Sequence, residues 1–451
     1  MLGWEYPPHI SGGLGTACEG LTTALARHNV EVIFVVPHLF GGENASHMTL
    51  VNSQGHSQKR LEGRRRGKEA PMSSRRKPRA SLISRRFIPA VLKPYLTPES
   101  FKVYTASLSL SEARQVVREI TTSPGDSEDA ASESHAGSEK PRVRPEQYGR
   151  DIYAEVGRFA SNCASSLSQE RFDIIHCHDW MTYPAGVALA QITGKPLVCH
   201  VHSLEYDRSG LNVNQQIHHI ERFGLQAARR VIAVSYYTRR IVHEQHGIPL
   251  DKICVVHNGV YSSEAMFKYR KGKSWPAKIV LFLGRITFQK GPDYFIEAAA
   301  KVIPHIPDVL FVMAGTGDML PRCIERVNQL GIGEHFQFPG FLRGQEVEEM
   351  FSIADLYVMP SVSEPFGISA LEAIKFDTPV IISRQSGVSE VLTHALKVDF
   401  WDIDRMADLM INALVHEELR SDMVAMAREE VRRLHWDAAA LKTREIYSSL
   451  L

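Results

Sequence analysis

The sequence lacks several features that would place it in a class of protein at once. Its six cysteines are scattered and form no Cys-x-x-Cys pair, which argues against a disulfide framework and favours a reducing compartment. No apolar run approaches the roughly 20 residues that cross a bilayer. Residues 1–8 also lack the basic and apolar blocks of a signal peptide. These absences predict a cytoplasmic protein without a membrane span.

An excess of charge of one sign is missing too. The chain carries 52 Lys and Arg against 51 Asp and Glu, a net charge of +1, so its overall field does not attract nucleic acid. It contains neither a P-loop nor a strand-linked G-x-G-x-x-G fingerprint. With 451 residues, 44% of them hydrophobic, it is long enough for two domains with large cores.

Short apolar runs alternate with amphipathic stretches along most of the chain. We predict buried strands at residues 30–36, 172–176, 195–200, 230–234, 253–256, 278–283, 309–313, 356–359 and 379–382. Predicted helices between them include residues 15–28, 294–303, 344–354 and 366–376. The pattern is typical of α/β domains built on doubly wound parallel sheets.

Two segments interrupt this alternation. A polar stretch at 261–276 reads as a linker, which divides residues 1–265 from residues 266–434 and leaves a last helix at 435–451. Residues 41–147 look like an insertion, first basic and then rich in Ser, Glu, Gly and Asp. The basic part could contact nucleic acid or another anionic polymer. It has no interleaved aromatic residues, so we favour a solvated, partly disordered loop and expect no nucleic-acid partner.

The stretch from Ser363 to Glu372 predicts a helix N-terminus that binds an anion. Pro365 suits the first helical position, and the helix would then offer three free backbone amides, those of Phe366, Gly367 and Ile368. Glu364 precedes the helix, and Glu372 lies roughly 9 Å further along it. A ligand with hydroxyls at both ends and negative charge between them is a nucleotide sugar. The alternative is an ordinary capped helix with two solvated glutamates.

Two loops that follow predicted strands offer further phosphate contacts. Gly12 and Gly13 expose backbone amides between the first strand and a helix, although a tight turn needs glycine in any case. After the strand at 278–283, Arg285 and Lys290 place two permanent cations five residues apart. The guanidinium can bind two phosphate oxygens and the ammonium acts as a point charge, so the pair would neutralise a diphosphate. An ordinary basic surface loop remains the alternative.

Histidines cluster where two strands should end. His176 and His178 share one face of their strand, and His200 and His202 share a face of the next. With the neighbouring cysteines they could form a metal site. A neutral polar cleft wall explains them without an ion, so we predict no metal.

The combined motifs resemble the retaining glycosyltransferases of the GT-B fold, family 4 or group 1, close to the bacterial glycogen and starch synthases. The resemblance covers about residues 1–36 and 148–451, and the motifs that carry it are Gly12-Gly13-Leu14-Gly15, His178-Asp179-Trp180, His202, Asn258-Gly259-Val260, Gly284-Arg285, Lys290-Gly291, Glu364 and Glu372. It implies two Rossmann-like domains, the first on the acceptor side and the second binding the nucleotide sugar. It also implies that the last helix crosses back to the first domain.

The resemblance assigns roles to single positions. Arg285 and Lys290 would hold the donor diphosphate, assisted by amides near Phe366, Gly367 and Ile368 and by the Gly12-Gly13 loop. Glu364 would contact hydroxyls of the transferred sugar, and Glu372 the ribose. His202 would lie near the anomeric carbon, with Asp179 on the acceptor side.

The implied reaction moves a hexosyl unit, expected to be glucose, from ADP- or UDP-glucose to a hydroxyl of an oligo- or polysaccharide, with retention and without a metal or other cofactor. Ser11 stands where ADP-glucose-dependent glycogen synthases usually have Lys, so the donor base and the acceptor stay open. Alternatives are a nucleotide-sugar epimerase or hydrolase on the same fold, and a non-catalytic glycan- or partner-binding protein. The oligomeric state is also open.

Overall fold

A computed structural model describes residues 1–7, 13–37, 48–51, 83–87, 152–260 and 278–451, with side chains described outside 48–51 and 83–87. The chain divides into two compact units. The first comprises Met1–Val201, His219–Ile232 and Ala440–Leu451, and the second comprises His202–His218 and Ala233–Ala439. The predicted linker lies outside the described residues, and the domain borders drawn from the sequence stay predictions. None of the helices in the described ranges is both long and apolar enough to cross a membrane.

The first unit contains short parallel strands. They are β1 (Val32–Val36), β2 (Met48–Val51), β3 (Ile83–Phe87), β4 (Ile175–His178), β5 (Leu197–Val201) and β6 (Arg230–Ala233). Strand β3 lies between β1 and β2, and β5 lies between β4 and β6. Strands β2 and β3 fall inside the segment that we predicted to be an irregular insertion. Strand β2 has only four residues, and β3 contains Ser84, Arg85 and Arg86, so neither strand gives a continuous apolar run.

Leu2 joins the two parts of this sheet. Its amide donates to the His176 carbonyl at 2.8 Å, and its carbonyl accepts from the His178 amide at 3.0 Å. On the other side, the Val35 carbonyl accepts from the Gly3 amide at 2.9 Å. A segment with so few paired residues agrees with the short first strand expected from the sequence. Leu2 is 2% exposed, as a position between two strands requires.

The helices alternate with the strands along the chain. They are α1 (Gly13–Arg27), α2 (Ile152–Leu167), α3 (Tyr183–Thr193), α4 (Glu205–Ser209), α5 (Gln215–Ala227), α6 (Tyr236–His246), α7 (Pro292–Val302), α8 (Leu320–Gln329), α9 (Gln345–Ile353), α10 (Ile368–Lys375), α11 (Ile403–Val415), α12 (Glu417–Arg433) and α13 (Trp436–Ser448). The last residues of α13 belong to the first unit.

The second unit contains a six-stranded parallel sheet. After β7 (Ile253–Val255), its strands are β8 (Lys278–Leu283), β9 (Val309–Ala314), β10 (Phe336–Gly340), β11 (Leu356–Met359), β12 (Val380–Ser383) and β13 (Leu396–Val398). The spatial order is β10-β9-β8-β11-β12-β13. Within this sheet that is the order 3-2-1-4-5-6 of a doubly wound dinucleotide-binding fold. The prediction of doubly wound α/β architecture is confirmed.

Both faces of this sheet are covered, which explains why its strands are almost wholly apolar. Val280 and Phe282 of β8 pack into one core cluster with Phe295 of α7. Ile279 and Leu281, on the opposite face, pack into a second cluster. Each such side chain contributes about 1.5–3 kcal/mol on burial. Helices on both faces leave the loops at the carboxyl ends of the strands as the place for a ligand.

Candidate functional site

The order of strands in the second unit reverses between β8 and β11. In open α/β sheets this point opens a crevice at the carboxyl ends of the strands, where ligands bind. The loop after β8 carries Arg285 and Lys290, and the loop after β11 carries Glu364. Two separately predicted motifs, Arg285 with Lys290 and the stretch that begins with Glu364, therefore lie on the two loops where topology favours a ligand.

The loop after β8 is fixed by close backbone packing against the loop after β11. A 3-10 turn spans Phe288–Lys290, and Gly291 follows with a φ of 64°. A Cβ atom at Gly291 would stand 2.2 Å from the carbonyl oxygen of Pro360. Glycine is therefore required both for the left-handed conformation and for this approach. Arg285 remains exposed, and its guanidinium donates to Gln289 Oε1 at 3.3 Å.

Lys290 and Glu364 form an ion pair at this crevice. Lys290 Nζ donates to Glu364 Oε2, and Ser361 Oγ approaches the same oxygen at 3.4 Å. The Glu364 side chain is 9% exposed and the Lys290 side chain 21%. The cation predicted to bind phosphate and the carboxylate predicted to bind sugar hydroxyls are thus neighbours. This suits a ligand in which a sugar is bonded directly to a diphosphate.

The helix at the site begins later than predicted. Helix α10 starts at Ile368, with Gly367 as its N-cap at a φ of 106°, so Pro365 and Phe366 precede it. The prediction that Pro365 occupies the first helical position is wrong. The Pro365 carbonyl instead accepts from Ser235 Oγ at 2.6 Å. The chain bends at Pro365 and Phe366 before α10 begins, so Ile368 and Ser369, rather than Phe366 and Gly367, provide the first amides of the helix.

Glu372 lies in the second turn of α10 and is partly buried. Burial raises the pKa of its carboxyl group, and the charge of Glu348 acts in the same direction, while Lys375 opposes both. Desolvation disfavours the charged carboxylate, which increases its tendency to accept hydrogen bonds from a ligand's hydroxyls. Its assignment to the ribose stays a prediction.

His202 belongs by its contacts to the second unit, although the sequence placed it in the first domain. Burial lowers the pKa of its imidazole to about 3. The ring is therefore neutral at physiological pH and can both donate and accept a hydrogen bond. That property suits contact with a sugar hydroxyl rather than with a phosphate.

Asp179, in the first unit, has a strained backbone. It stands just after β4 with a φ of 60° and a ψ of 170°, and it is 6% exposed. Its amide donates to the His200 carbonyl at 3.0 Å, and its carbonyl accepts from Thr182. Strained residues held by such contacts are concentrated at functional sites. Gly13 begins α1, whereas Gly12 lies outside the described residues.

The histidines of the first unit form a buried cluster. Ligand atoms of His176, His178 and His200 lie within 4.8 Å of one another. His176 Nε2 lies 3.2 Å from His200 Nδ1, and its Nδ1 is hydrogen-bonded to the Tyr447 hydroxyl. His176 and His178 stack with ring centroids 4.5 Å apart. Hydrogen bonds and stacking account for this arrangement as a polar wall, and the absence of a metal stays a prediction.

Sequence reasoning missed the residues that hold the Glu364 loop. Ser363 Oγ donates to Asp207 Oδ1 at 2.5 Å and lies 3.0 Å from the Tyr237 hydroxyl. Glu390 accepts from the amide of Tyr236 at the start of α6 and also contacts His257. Glu390 gave no signal in the sequence, because the amide from which it accepts belongs to a helix start 154 residues away. Asp207 gave none.

Family comparisons cover most of the chain. Residues 266–430 match the model of the glycosyl transferases group 1, residues 103–264 match Glycosyltransferase Family 4, and residues 1–76 match the starch synthase catalytic domain. The second and third matches extend into the predicted insertion, which the resemblance seen in the sequence left uncovered.

Individual relatives agree with these matches. The chain is 32% identical over 305 residues to an uncharacterised glycosyltransferase of Methanocaldococcus jannaschii, covering 62% of this chain and 76% of that protein. It is 24% identical over 456 residues to a glycogen synthase of Mycobacterium tuberculosis, covering 99% and 93% of the two chains. Among solved structures, an Anabaena protein, HepE, in complex with UDP and glucose aligns with a TM-score of 0.64 at 14% identity, covering 100% of this chain and 98% of that one.

Proposed function

The chain belongs to the group 1 glycosyltransferases of the GT-B fold, with glycogen and starch synthases among its relatives, and from this premise we propose that it transfers a glucosyl unit from ADP- or UDP-glucose to a hydroxyl of a glycan acceptor with retention. The family transfers sugars from nucleotide sugars. The choice of glucose, of the base and of a glycan acceptor is our proposal. The starch synthase match and the glycogen synthase relative support it.

The contact between Lys290 and Glu364 at the strand-order reversal carries the proposal. In the bound state, Lys290 and Arg285 neutralise the diphosphate as the bond between the anomeric carbon and the phosphate oxygen breaks. The first amides of α10 add positive potential at the same place. Glu364 accepts hydrogen bonds from hydroxyls of the transferred sugar and thereby fixes its orientation.

We propose a front-side substitution for the transfer. The acceptor oxygen bonds to the anomeric carbon on the face that the diphosphate leaves. The acceptor's proton passes to the departing phosphate oxygen, so no protein side chain has to act as a covalent nucleophile. The neutral imidazole of His202 would contact the sugar without repelling the developing positive charge at the anomeric carbon.

We also propose that transfer needs no metal ion, because two cations and a helix start neutralise the leaving group. The test is the transfer rate after dialysis against a chelator. A rate unchanged within about twofold supports the proposal. A rate that falls at least tenfold and recovers with added Mg²⁺ or Mn²⁺ contradicts it.

The decisive experiment offers the protein ADP-, UDP- and GDP-sugars, each with and without acceptors that range from short maltooligosaccharides to lipids. Released nucleoside diphosphate and the products are measured. Release that depends on a maltooligosaccharide and yields a longer α-linked glucan supports the proposal. Release of nucleoside diphosphate at the same rate with and without acceptor indicates a hydrolase. Donor binding without turnover indicates a binding protein.

A further inference from the structure

Asp207 makes hydrogen bonds to two segments that are far apart in the sequence. Its Oδ2 accepts from the amide of Leu204 at 2.7 Å, two residues after His202. Its Oδ1 accepts from the hydroxyl of Ser363 at 2.5 Å, one residue before Glu364. Asp207 is 1% exposed, so both contacts lie in the interior of the second unit, where they are shielded from solvent.

The directions of these hydrogen bonds are fixed by chemistry. The Ser363 hydroxyl donates its single hydrogen to Asp207 Oδ1, so it has none left to donate to Tyr237. The Ser363 oxygen then accepts from the Tyr237 hydroxyl 3.0 Å away. Burial raises the pKa of Tyr237, which keeps this phenol protonated and able to donate. A directed chain therefore runs from Tyr237 through Ser363 to Asp207.

Two backbone hydrogen bonds also support the loop that carries Glu364. The Glu364 amide donates to the Gln385 carbonyl, and the Glu364 carbonyl accepts from the Gly387 amide, both at 2.9 Å. These contacts fix the loop relative to β12. The hydrogen bond from Ser363 to Asp207 adds a connection of a different kind. It joins the loop that carries Glu364 to the segment just after His202, although Ser363 and Asp207 are 156 residues apart in the sequence.

We propose that Asp207 is a positioning residue that sets His202 and Glu364 in register for sugar transfer through its hydrogen bonds to Leu204 and Ser363. This inference rests on the proposed function. Asp207 itself touches no substrate in this scheme. Its carboxylate holds Leu204, two residues after His202, and Ser363, one residue before Glu364. It thereby fixes the backbone next to both substrate contacts. Errors of about 1 Å in such placement cost about 100-fold in rate.

The test is a double-mutant cycle of Asp207→Ala, Ser363→Ala and the double variant, with kcat and donor KM measured per folded molecule. Each single variant should lower kcat by roughly 10- to 100-fold, with a smaller change in KM. The double variant should lose little more than Asp207→Ala alone, since both changes break the same link. In Asp207→Asn the side-chain amide can still accept from the Leu204 amide and hydrogen-bond to Ser363. The kcat of this variant should therefore be much closer to wild type than that of Asp207→Ala.

Ser352→Ala is the matched control, because Ser352 is 5% exposed and, among the described residues, its hydroxyl donates to the Glu349 carbonyl of its own helix at 2.8 Å. The kcat of Ser352→Ala should stay within about twofold of wild type, while its loss of thermal stability should be similar to that of Ser363→Ala. Additive losses in the cycle, or a wild-type kcat in Ser363→Ala, would overturn the inference. A wild-type protein that releases no diphosphate from any donor overturns the proposed function, and the positioning role falls with it.

Discussion

The two units place different kinds of polar side chain near the carboxyl ends of their strands. In the second unit these are charged: Arg285, Lys290 and Glu364. In the first unit they are imidazoles buried against one another, in the cluster of His176, His178 and His200. In the proposed reaction, the residues that stabilise the charge of the leaving group therefore belong to the second unit.

The largest expected effect is on catalysis and would test the role of charge directly. Lys290→Ala should lower the transfer rate by roughly 10²- to 10³-fold, because a charge-stabilising group at the leaving diphosphate is lost. The rate is measured with saturating acceptor. Lys301→Ala is the control, since its ion pair with Asp404 is exposed to solvent and should contribute little to stability. A Lys290→Ala protein with the wild-type rate would refute the role of Lys290.

The next effect compares two glycines, one in each unit, with nearly the same φ. Gly291→Ala should destabilise the second unit by roughly 2–3 kcal/mol, because strain adds to a clash with the Pro360 carbonyl. Gly194 ends α3 at a φ of 69° with open space around it, so Gly194→Ala should cost only about 1 kcal/mol. Both free energies come from urea unfolding. Equal costs would show that the packing of the two loops is loose.

A smaller effect concerns the imidazole cluster. Tyr447→Phe removes the hydroxyl that is hydrogen-bonded to His176 and should lower the free energy of unfolding by about 1–2 kcal/mol. The rate per folded molecule should stay within about threefold of wild type, because this cluster carries no catalytic charge. Thermal unfolding and the transfer assay supply the two measurements. A 100-fold loss of rate would give the first unit a direct part in catalysis.

The smallest effect is a pH dependence from His202. Its folded pKa of about 3 lies below the unfolded value of 6.5, so below pH 6.5 the unfolded chain binds a proton that the folded chain does not. Stability from this group is therefore complete above pH 6.5 and declines as the pH falls towards 3. At pH 5.5 the protein should be less stable than at pH 7.5 by roughly 1.4 kcal/mol from this group. His202→Gln should show a shallower decline between pH 7.5 and 5.5, and an unchanged slope would contradict the neutral buried imidazole.

The sequence predicted the second unit better than the first, for a physical reason. Strands β8, β9, β11 and β12 are buried on both faces, so each is a continuous apolar run with clear ends. Strand β10 was missed because its residues alternate between exposed and buried and include Pro339, as befits an edge strand. Strand β13 has only three residues, at the other edge.

The site itself was predictable only where residues are close in sequence. Arg285 with Lys290, and Glu364 with Glu372, are local motifs, and their spacing indicated an anion site. The start of α10 was placed too early because Pro365 resembles a first-turn proline, while its true role depends on a hydrogen bond from Ser235, 130 residues away. Asp207 and Ser363 are 156 residues apart, and the sequence around neither residue predicts the hydrogen bond between them.

In the proposed reaction, the ion pair of Lys290 and Glu364 would also disfavour the binding of ligands that lack the sugar. A phosphate or nucleotide that takes the ammonium for itself leaves a nearly buried carboxylate without its cation, at an electrostatic cost. A sugar attached to the diphosphate offsets that cost, because its hydroxyls donate to the carboxylate just as the cation departs. The same balance weakens binding of the nucleoside diphosphate once its sugar has been transferred, so the resting ion pair helps to expel the product.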